Sequence, residues 1–294
     1  MTQTQSQTDA RIPTHARIHH VPVRTAAPRV SVVIPTYNEA RNLPHVFSRL
    51  PAGLHEVVVV DGHSIDDTVE VARALRPDVR IVRQNRRGKG NAMACGFAAV
   101  TGDVVVMLDA DGSADGQEIE RFVAALTAGA DFAKGTRFAG DGGSSDITRM
   151  RAWGNRWLNR AANVLFGTRY TDLCYGYNAF WTHCLPSLEL DPGTERGDVK
   201  RWGDGFEIET IINTRMAKAG LQITEVPSFE HPRLHGISNL NTWRDGFRVL
   251  RALVVERCNG RGRRVVAVAP IALPAQRASR GAGEAGSRKA EQTA

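Results

Sequence analysis

The stretch VVVMLDADGS, residues 104–113, begins as a buried strand and ends on two carboxylates. Val104, Val105, Val106, Met107 and Leu108 form an unbroken apolar run, and Asp109, Ala110, Asp111, Gly112 and Ser113 follow at once. A strand without polar alternation is covered on both faces, as in a parallel sheet between layers of helices. Its ending admits three chemistries: a metal-bound diphosphate, an aspartyl nucleophile or a calcium loop. A plainer alternative is an acidic turn that caps the next helix.

The segments upstream repeat the same unit. RVSVVIP (29–35), EVVVVDG (56–62) and VRIVRQ (79–84) are short runs rich in β-branched residues. Helical patterns separate them at 39–50, at SIDDTVEVARAL (64–75), with Ser64 as N-cap, and at GNAMACGFAAV (90–100). Strands alternating with helices predict an α/β fold with a mostly parallel sheet and helices on both faces. Ligands in such folds bind beyond the carboxyl ends of the strands. Pro35, Asp61 and Asp109 all fall at that edge.

The second half is less regular. DFAKGTRF (131–138) and LQITEVP (221–227) predict strands, and DLCYGYNAFW (172–181) predicts a strand-rich segment. MRAWGNRWLNRAANVLFG (150–167) predicts a helix with an aromatic and aliphatic face. GFEIETIINTRMAKAG (205–220) predicts an amphipathic helix ended by Gly220, and TWRDGFRVLRALVVERC (242–258) a last helix.

The 294 residues, 42% hydrophobic and 23% charged, have the composition of a soluble globular chain. The net charge of +7 is unevenly placed. Residues 1–29 carry four arginines and one aspartate, and residues 257–294 carry seven arginines and one lysine against two glutamates. The foldable middle is therefore slightly acidic. Residues 1–28 and 259–294 are expected to be largely disordered extensions around one domain at 29–258. The basic ends lack interleaved aromatics, which argues against specific nucleic-acid binding. Cys95, Cys174, Cys184 and Cys258 show no zinc or disulfide spacing, which suits a reducing compartment. His15, His19 and His20 sit in a stretch with no core and are expected to be solvated. No run reaches the roughly 18 apolar residues of a membrane span, and no signal-peptide core is visible. The expected location is the cytoplasm, with peripheral attachment to the inner face of a membrane left open.

Two of the three chemistries fit poorly. Haloacid-dehalogenase-type phosphatases carry their aspartyl nucleophile on the first strand with further acids downstream, whereas here three strands precede Asp109 and no paired-acid motif follows in a comparable setting. A calcium loop needs oxygen ligands at its positions 1, 3 and 5 and glycine at 6; counted from Asp109, the glycine stands fourth. The diphosphate reading needs only Mg²⁺ or Mn²⁺ between Asp109, Asp111 and phosphate oxygens. NRRGKGNAMACG (85–96) adds cationic charge nearby at Arg86, Arg87 and Lys89. It does not match the dinucleotide fingerprint, so a nicotinamide-dependent oxidoreductase is a poor fit.

VVIPTYNEARNL (32–43), VVVVDGHSIDDT (57–68), RGKGNAMACG (87–96) and VVVMLDADGS occur in that order. Together they resemble the nucleotide-binding half of family 2 glycosyltransferases with the GT-A fold. The resemblance covers about residues 30–240. It implies that Pro35, Tyr37, Glu39 and Asp61 contact the base and ribose of a UDP- or GDP-sugar, with Lys89 nearby. It also implies that Asp109 and Asp111 meet the metal and diphosphate. GTRFAGDGG (135–143), TDLCYGYNAF (171–180) and EVPSFEHPRLHGISNL (225–240) look like the polyprenyl-phosphate, dolichol-phosphate mannosyltransferase type. That likeness implies a polyprenyl-phosphate acceptor, Arg137 and Arg233 near phosphates, Asp172 as the acid of the acceptor segment, and inversion at the anomeric carbon. Two letters depart from the pattern: Ser113 stands where Gln is common, and Asn178 where Arg is expected.

An ionised phosphate acceptor needs no strong base, but a hydroxyl acceptor does. Candidate bases are Asp172, Asp204 and Glu207; Asp204 could instead cap a helix and Glu207 form a salt bridge. The last helix could place Trp243, Phe247, Leu250, Val254 and Val255 on one face amid arginines. That pattern suits either a membrane interface or a core helix. Two alternatives remain beside the lipid acceptor: the same donor chemistry on a soluble or saccharide acceptor, and a non-catalytic nucleotide-sugar-binding protein.

Overall fold

Three largely buried strands run side by side in the sheet, β1 (Val30–Thr36), β2 (Glu56–Asp61) and β4 (Val104–Met107), and the partly exposed β3 (Arg80–Arg83) closes the edge beside β2. The structure, a computed structural model, describes residues 25–193, 201–236 and 242–259, the side chains of 242–244 excepted. What the sequence suggested for the two extensions lies outside the described residues, except for the few that border the domain. The same holds for the side chains of Trp243 and Arg244.

The seven-stranded sheet has the order β3-β2-β1-β4-β7-β5-β8. β1 pairs in parallel with β2 and β4, and β2 with β3. Val32, Val33, Ile34 and Val57 to Val60 are fully buried, each contributing roughly 1.5–3 kcal/mol of burial. The expected all-apolar strands are therefore the core. β5 (Phe132–Thr136) and β8 (Ile223–Pro227) pair in parallel with each other. β7 (Asn178–Trp181) enters between β4 and β5 and runs antiparallel to both. Only the last four residues of the strand-rich 172–181 segment form this strand.

Helices α1 (Leu43–Ser48), α2 (Thr68–Leu75), α3 (Lys89–Ala99) and α4 (Ile119–Thr127) follow the first four strands in turn. α1 and α2 are shorter than the periodicity suggests. Ser64 does not cap α2: its hydroxyl accepts the Asn38 N–H at 3.0 Å, and the helix starts four residues later. Beyond β5 lie β6 (Gly143–Ser144), α5 (Arg149–Phe166), α6 (Leu185–Leu188) and α7 (Ile208–Lys218). β9 (Phe229–Glu230), which pairs with β6, and α8 (Thr242–Cys258) complete the described fold.

α7 corrects the amphipathic expectation. Nine of its eleven residues, from Ile208 to Ala217, are buried, including Glu209 and Asn213. It packs against α5, α6 and α8 and so has almost no solvent face. Among the described residues no helix is long and apolar enough to cross a membrane.

Candidate active site

The parallel strands place their carboxyl ends on one rim, and the loops leaving them carry the predicted residues. Pro35 is half-buried at the end of β1, and Tyr37, just beyond, is 56% exposed. The two neighbouring loops are laced together. Asn38 Oδ1 accepts the Ile65 N–H at 2.9 Å, and the Glu39 N–H donates to the Thr68 hydroxyl at 2.9 Å. Asp61, fully buried at the end of β2, accepts the Ser64 N–H through Oδ1 at 3.0 Å. Its Oδ2 has no hydrogen-bond partner among the described residues, and Arg83 stands 3.4 Å away.

β4 ends at Met107, and the next residues present Asp109 and Asp111, both half-buried. Gly112 has φ +77°, a left-handed backbone that favours glycine. It lets the chain turn so that the Ser113 N–H donates to Asp111 Oδ1 at 3.0 Å. The segment after β9 returns along this turn. His231 N–H donates to the Ser113 carbonyl at 2.8 Å and Leu234 N–H to the Asp111 carbonyl at 3.2 Å. Those two bonds deliver Arg233 to the acids.

Each acid of the pair meets a different cation. Lys89 Nζ, from the first turn of α3, lies 2.7 Å from Asp109 Oδ1 and 2.7 Å from Glu209 Oε1. Arg233 Nη2 lies 3.3 Å from Asp111 Oδ2, and its Nη1 is 3.0 Å from Glu39 Oε1. Burial disfavours the charge on Lys89, but attraction to Asp109 and Glu209 outweighs it and holds the ammonium above the usual lysine range. Glu209 is the participant that the sequence did not disclose. Its signal was a carboxylate on a helix otherwise packed into the core.

A third cation lies beyond β5. Arg137 donates from its backbone N–H and Nε to Asp172 Oδ2, at 3.1 and 2.7 Å, and from Nη2 to Asp172 Oδ1 at 3.0 Å. Its Nη1 reaches Glu230 Oε2 at 2.8 Å. Asn155 on α5 donates to Asp172 Oδ1 at 2.9 Å. Burial would raise the Asp172 carboxyl, but the Arg137 hydrogen bonds and charge hold it below the ordinary aspartate value. Asp172 is thus fully engaged as an acceptor.

Asp204 stands apart from these groups. Both of its oxygens accept from Arg86, at 2.8 Å each, in a pair that is almost wholly buried. Its backbone carbonyl accepts the Gly90 N–H at 2.9 Å. A Cβ on Gly90 would fall 1.7 Å from the Gly203 carbonyl oxygen. The 203–205 loop is therefore clamped onto the start of α3, and Asp204 holds that clamp. Glu207 Oε1 accepts the Gly205 N–H at 3.3 Å, and its Oε2 lies 3.7 Å from Arg248 Nε on α8, the salt bridge offered as its alternative. Asn178 is fully buried, its Oδ1 accepting the Gly135 N–H at 3.3 Å.

The family model described as Glycosyl transferase family 2 matches residues 31–183. Glycosyltransferase AglJ of Haloferax volcanii is 34% identical over 220 residues, spanning 74% of this chain and 68% of that one. Polyprenol monophosphomannose synthase of Mycolicibacterium smegmatis is 32% identical over 227 residues, spanning 72% and 81%. Glucosyl-3-phosphoglycerate synthase of Mycobacterium tuberculosis, crystallised with Mn²⁺, UDP and glucosyl-3-phosphoglycerate, superposes with a TM-score of 0.60 at 24% identity. That match spans 79% of this chain and 81% of the other and concerns the architecture, which is the GT-A fold.

Proposed function

Because this chain belongs to glycosyl transferase family 2, we propose that it transfers a sugar from a UDP- or GDP-sugar to polyprenyl phosphate, with inversion. The reaction would use Mg²⁺ or Mn²⁺ and take place at the cytoplasmic surface of a membrane. The observation that carries the proposal is the gathering of Asp109, Asp111, Lys89 and Arg233 at the carboxyl end of β4. The similarity to a polyprenol monophosphomannose synthase supports the lipid acceptor.

The donor set suits a hard divalent ion: Asp109 and Asp111 stand two residues apart and present hard carboxylate oxygens, with Lys89 and Arg233 to be shared or displaced. Among the described residues no group of three or more His, Cys, Asp or Glu gathers to hold a metal alone. That fits an ion which completes its sphere with phosphate oxygens and water. When bound by Asp109 and Asp111, it would supply Lewis-acid stabilisation of the leaving diphosphate.

The chain's own groups do the rest. Lys89 and Arg233 offer positive charge to the donor phosphates. Arg137, held by Asp172 and Glu230, lends positive charge to the acceptor phosphate, with its Nη groups available to it once Glu230 yields. That acceptor arrives ionised, so the reaction needs no general base. Pro35, Tyr37, Glu39 and Asp61 flank the base and ribose. The catalytic unit runs from 29 to 258, with 1–28 and 259–294 outside it.

The test supplies UDP- and GDP-sugars, Mn²⁺ and polyprenyl phosphate to the full chain and follows sugar entering the organic phase. Metal-dependent transfer with an inverted anomeric centre, assigned by NMR, is the expected result. Transfer to soluble saccharides alone would replace the lipid acceptor, and a retained configuration would overturn inversion. Donor binding without turnover on any acceptor would reduce the protein to a nucleotide-sugar binder.

A further inference from the structure

α5 contains four arginines and no acid in its 18 residues. Along its outer side Met150, Trp153, Trp157 and Val164 are 50%, 61%, 53% and 85% exposed. Their spacing of three, four and seven residues puts them on one stripe of the helix. The Trp153 and Trp157 rings meet edge to face at 6.1 Å, and the Arg160 guanidinium lies 5.5 Å over Trp157. Two adjacent tryptophans left in water form an apolar patch of the kind that marks a docking surface.

α8 packs against α5 and repeats the pattern. Phe247, Leu250 and Val254 are exposed one helical turn apart, beside exposed Arg251 and Arg257. Charge decides the occupant. A second copy laid face to face would oppose arginine with arginine, since α5 has no carboxylate and the two acids of α8, Asp245 and Glu256, already pair with Arg248 and Arg215. An anionic lipid surface answers both features: phosphates receive the guanidinium groups, and indole rings settle at headgroup depth.

We infer that the α5–α8 face docks on an anionic lipid bilayer, with Trp153 and Trp157 as its anchors. The inference deepens the reading of a membrane-borne acceptor, yet its test requires neither donor nor acceptor. The inner face of α5 gives it a functional consequence. Asn155 donates to Asp172, while Asn159 donates to the Thr171 carbonyl and accepts the Leu173 N–H at 2.7 Å. The helix that meets the lipid therefore also holds the segment that orients Arg137.

The experiment is flotation of the full chain with phosphatidylcholine vesicles, with and without phosphatidylglycerol. The wild type floats with the anionic vesicles and stays behind with the neutral ones. W153S/W157S and R156E/R160E each weaken flotation about tenfold while melting near the wild-type temperature. W153F/W157F, which keeps the apolar surface, floats but loses the share of fluorescence quenching by brominated lipid that those two indoles contribute. Wild-type protein that remains in solution would overturn the inference. So would flotation unchanged in W153S/W157S, which would move lipid binding to another part of the chain. A dimer that W153S/W157S converts to a monomer would assign the face to a second copy instead. Flotation without sugar transfer to polyprenyl phosphate would leave this inference standing and remove only the proposed acceptor.

Discussion

Lys89 and Asp109 form an ion pair across 2.7 Å at the mouth of the parallel sheet, so the first of the two acids that follow β4 already faces a cation. Glu209 on the far side of the ammonium keeps Lys89 in place from within the core. A divalent ion at Asp109 must share that carboxylate with Lys89 or push it aside. On the proposed reading, donor phosphates would ease the competition by giving the ammonium a second set of anionic partners. Metal and nucleotide are thereby expected to bind with positive coupling.

Lys89→Met tests the competition. Without the ammonium, Mn²⁺ alone should bind Asp109 and Asp111 about tenfold more tightly, since a neighbouring like charge is gone. Donor affinity and transfer should fall together, because the phosphates lose their cation. Calorimetric titration of Mn²⁺ with and without nucleotide reads both effects. Unchanged Mn²⁺ affinity in the variant would show that Lys89 and the metal do not compete.

Asp204→Asn should act on stability. Arg86 is 2% exposed and donates to both Asp204 oxygens, so neutralising the acid strands a buried guanidinium. Breaking such a pair costs about 3–5 kcal/mol. Denaturant unfolding should show a loss of that order, while the enzyme that stays folded keeps the wild-type pH dependence of kcat. A variant of normal stability that loses one limb of the pH profile would restore Asp204 as a base.

The parts of this site legible in the sequence are those written by local pattern. Uniform valine runs announce β1, β2 and β4, and the acids that end β4 fall at the ligand-binding rim because strand direction is shared. Pairings over long sequence distances were not legible. Arg86 and Asp204 are 118 residues apart, and neither segment names the other. The antiparallel entry of β7 was hidden because NAFW reads the same in either direction between β4 and β5. α7 defeated the amphipathic pattern because Glu209, Thr210, Asn213 and Thr214 are buried with the apolar residues. Glu209 meets Lys89 and Asn213 donates to the Leu173 carbonyl, partners that only the tertiary fold supplies, while the Thr214 hydroxyl turns back onto carbonyls of its own helix.

Asp172→Asn separates positioning from base catalysis. The acid accepts four hydrogen bonds from Arg137 and Asn155, and Arg137 keeps it ionised. The amide retains part of the geometry but releases Arg137 toward Glu230. Misplacing a substrate-orienting group can cost about 10²-fold, and the loss should fall on transfer while its pH profile keeps its shape. Disappearance of the acidic limb would make Asp172 a proton acceptor after all.

Lys134 gives the fold a measurable alkaline signature. Its side chain is fully buried, and its Nζ donates to the Gly135 and Tyr175 carbonyls at 2.7 and 2.8 Å. Burial lowers its pKa from 10.5 to about 8, against the pull of Asp172 and Glu225. Below pH 8 both folded and unfolded chains hold the proton, and the folded one bears the cost of a buried ammonium. Between about 8 and 10.5 only the unfolded chain holds it, so this residue makes stability rise with pH across that window. The full shift corresponds to about 3 kcal/mol. Melting curves of the wild type and Lys134→Met at pH 7, 8, 9 and 10 isolate the effect from other titrating groups. The wild-type temperature should gain on the variant at each step above pH 8. A wild-type melting temperature that keeps pace with the variant or falls behind it as pH rises would mean that Lys134 keeps its proton in the folded chain throughout that range.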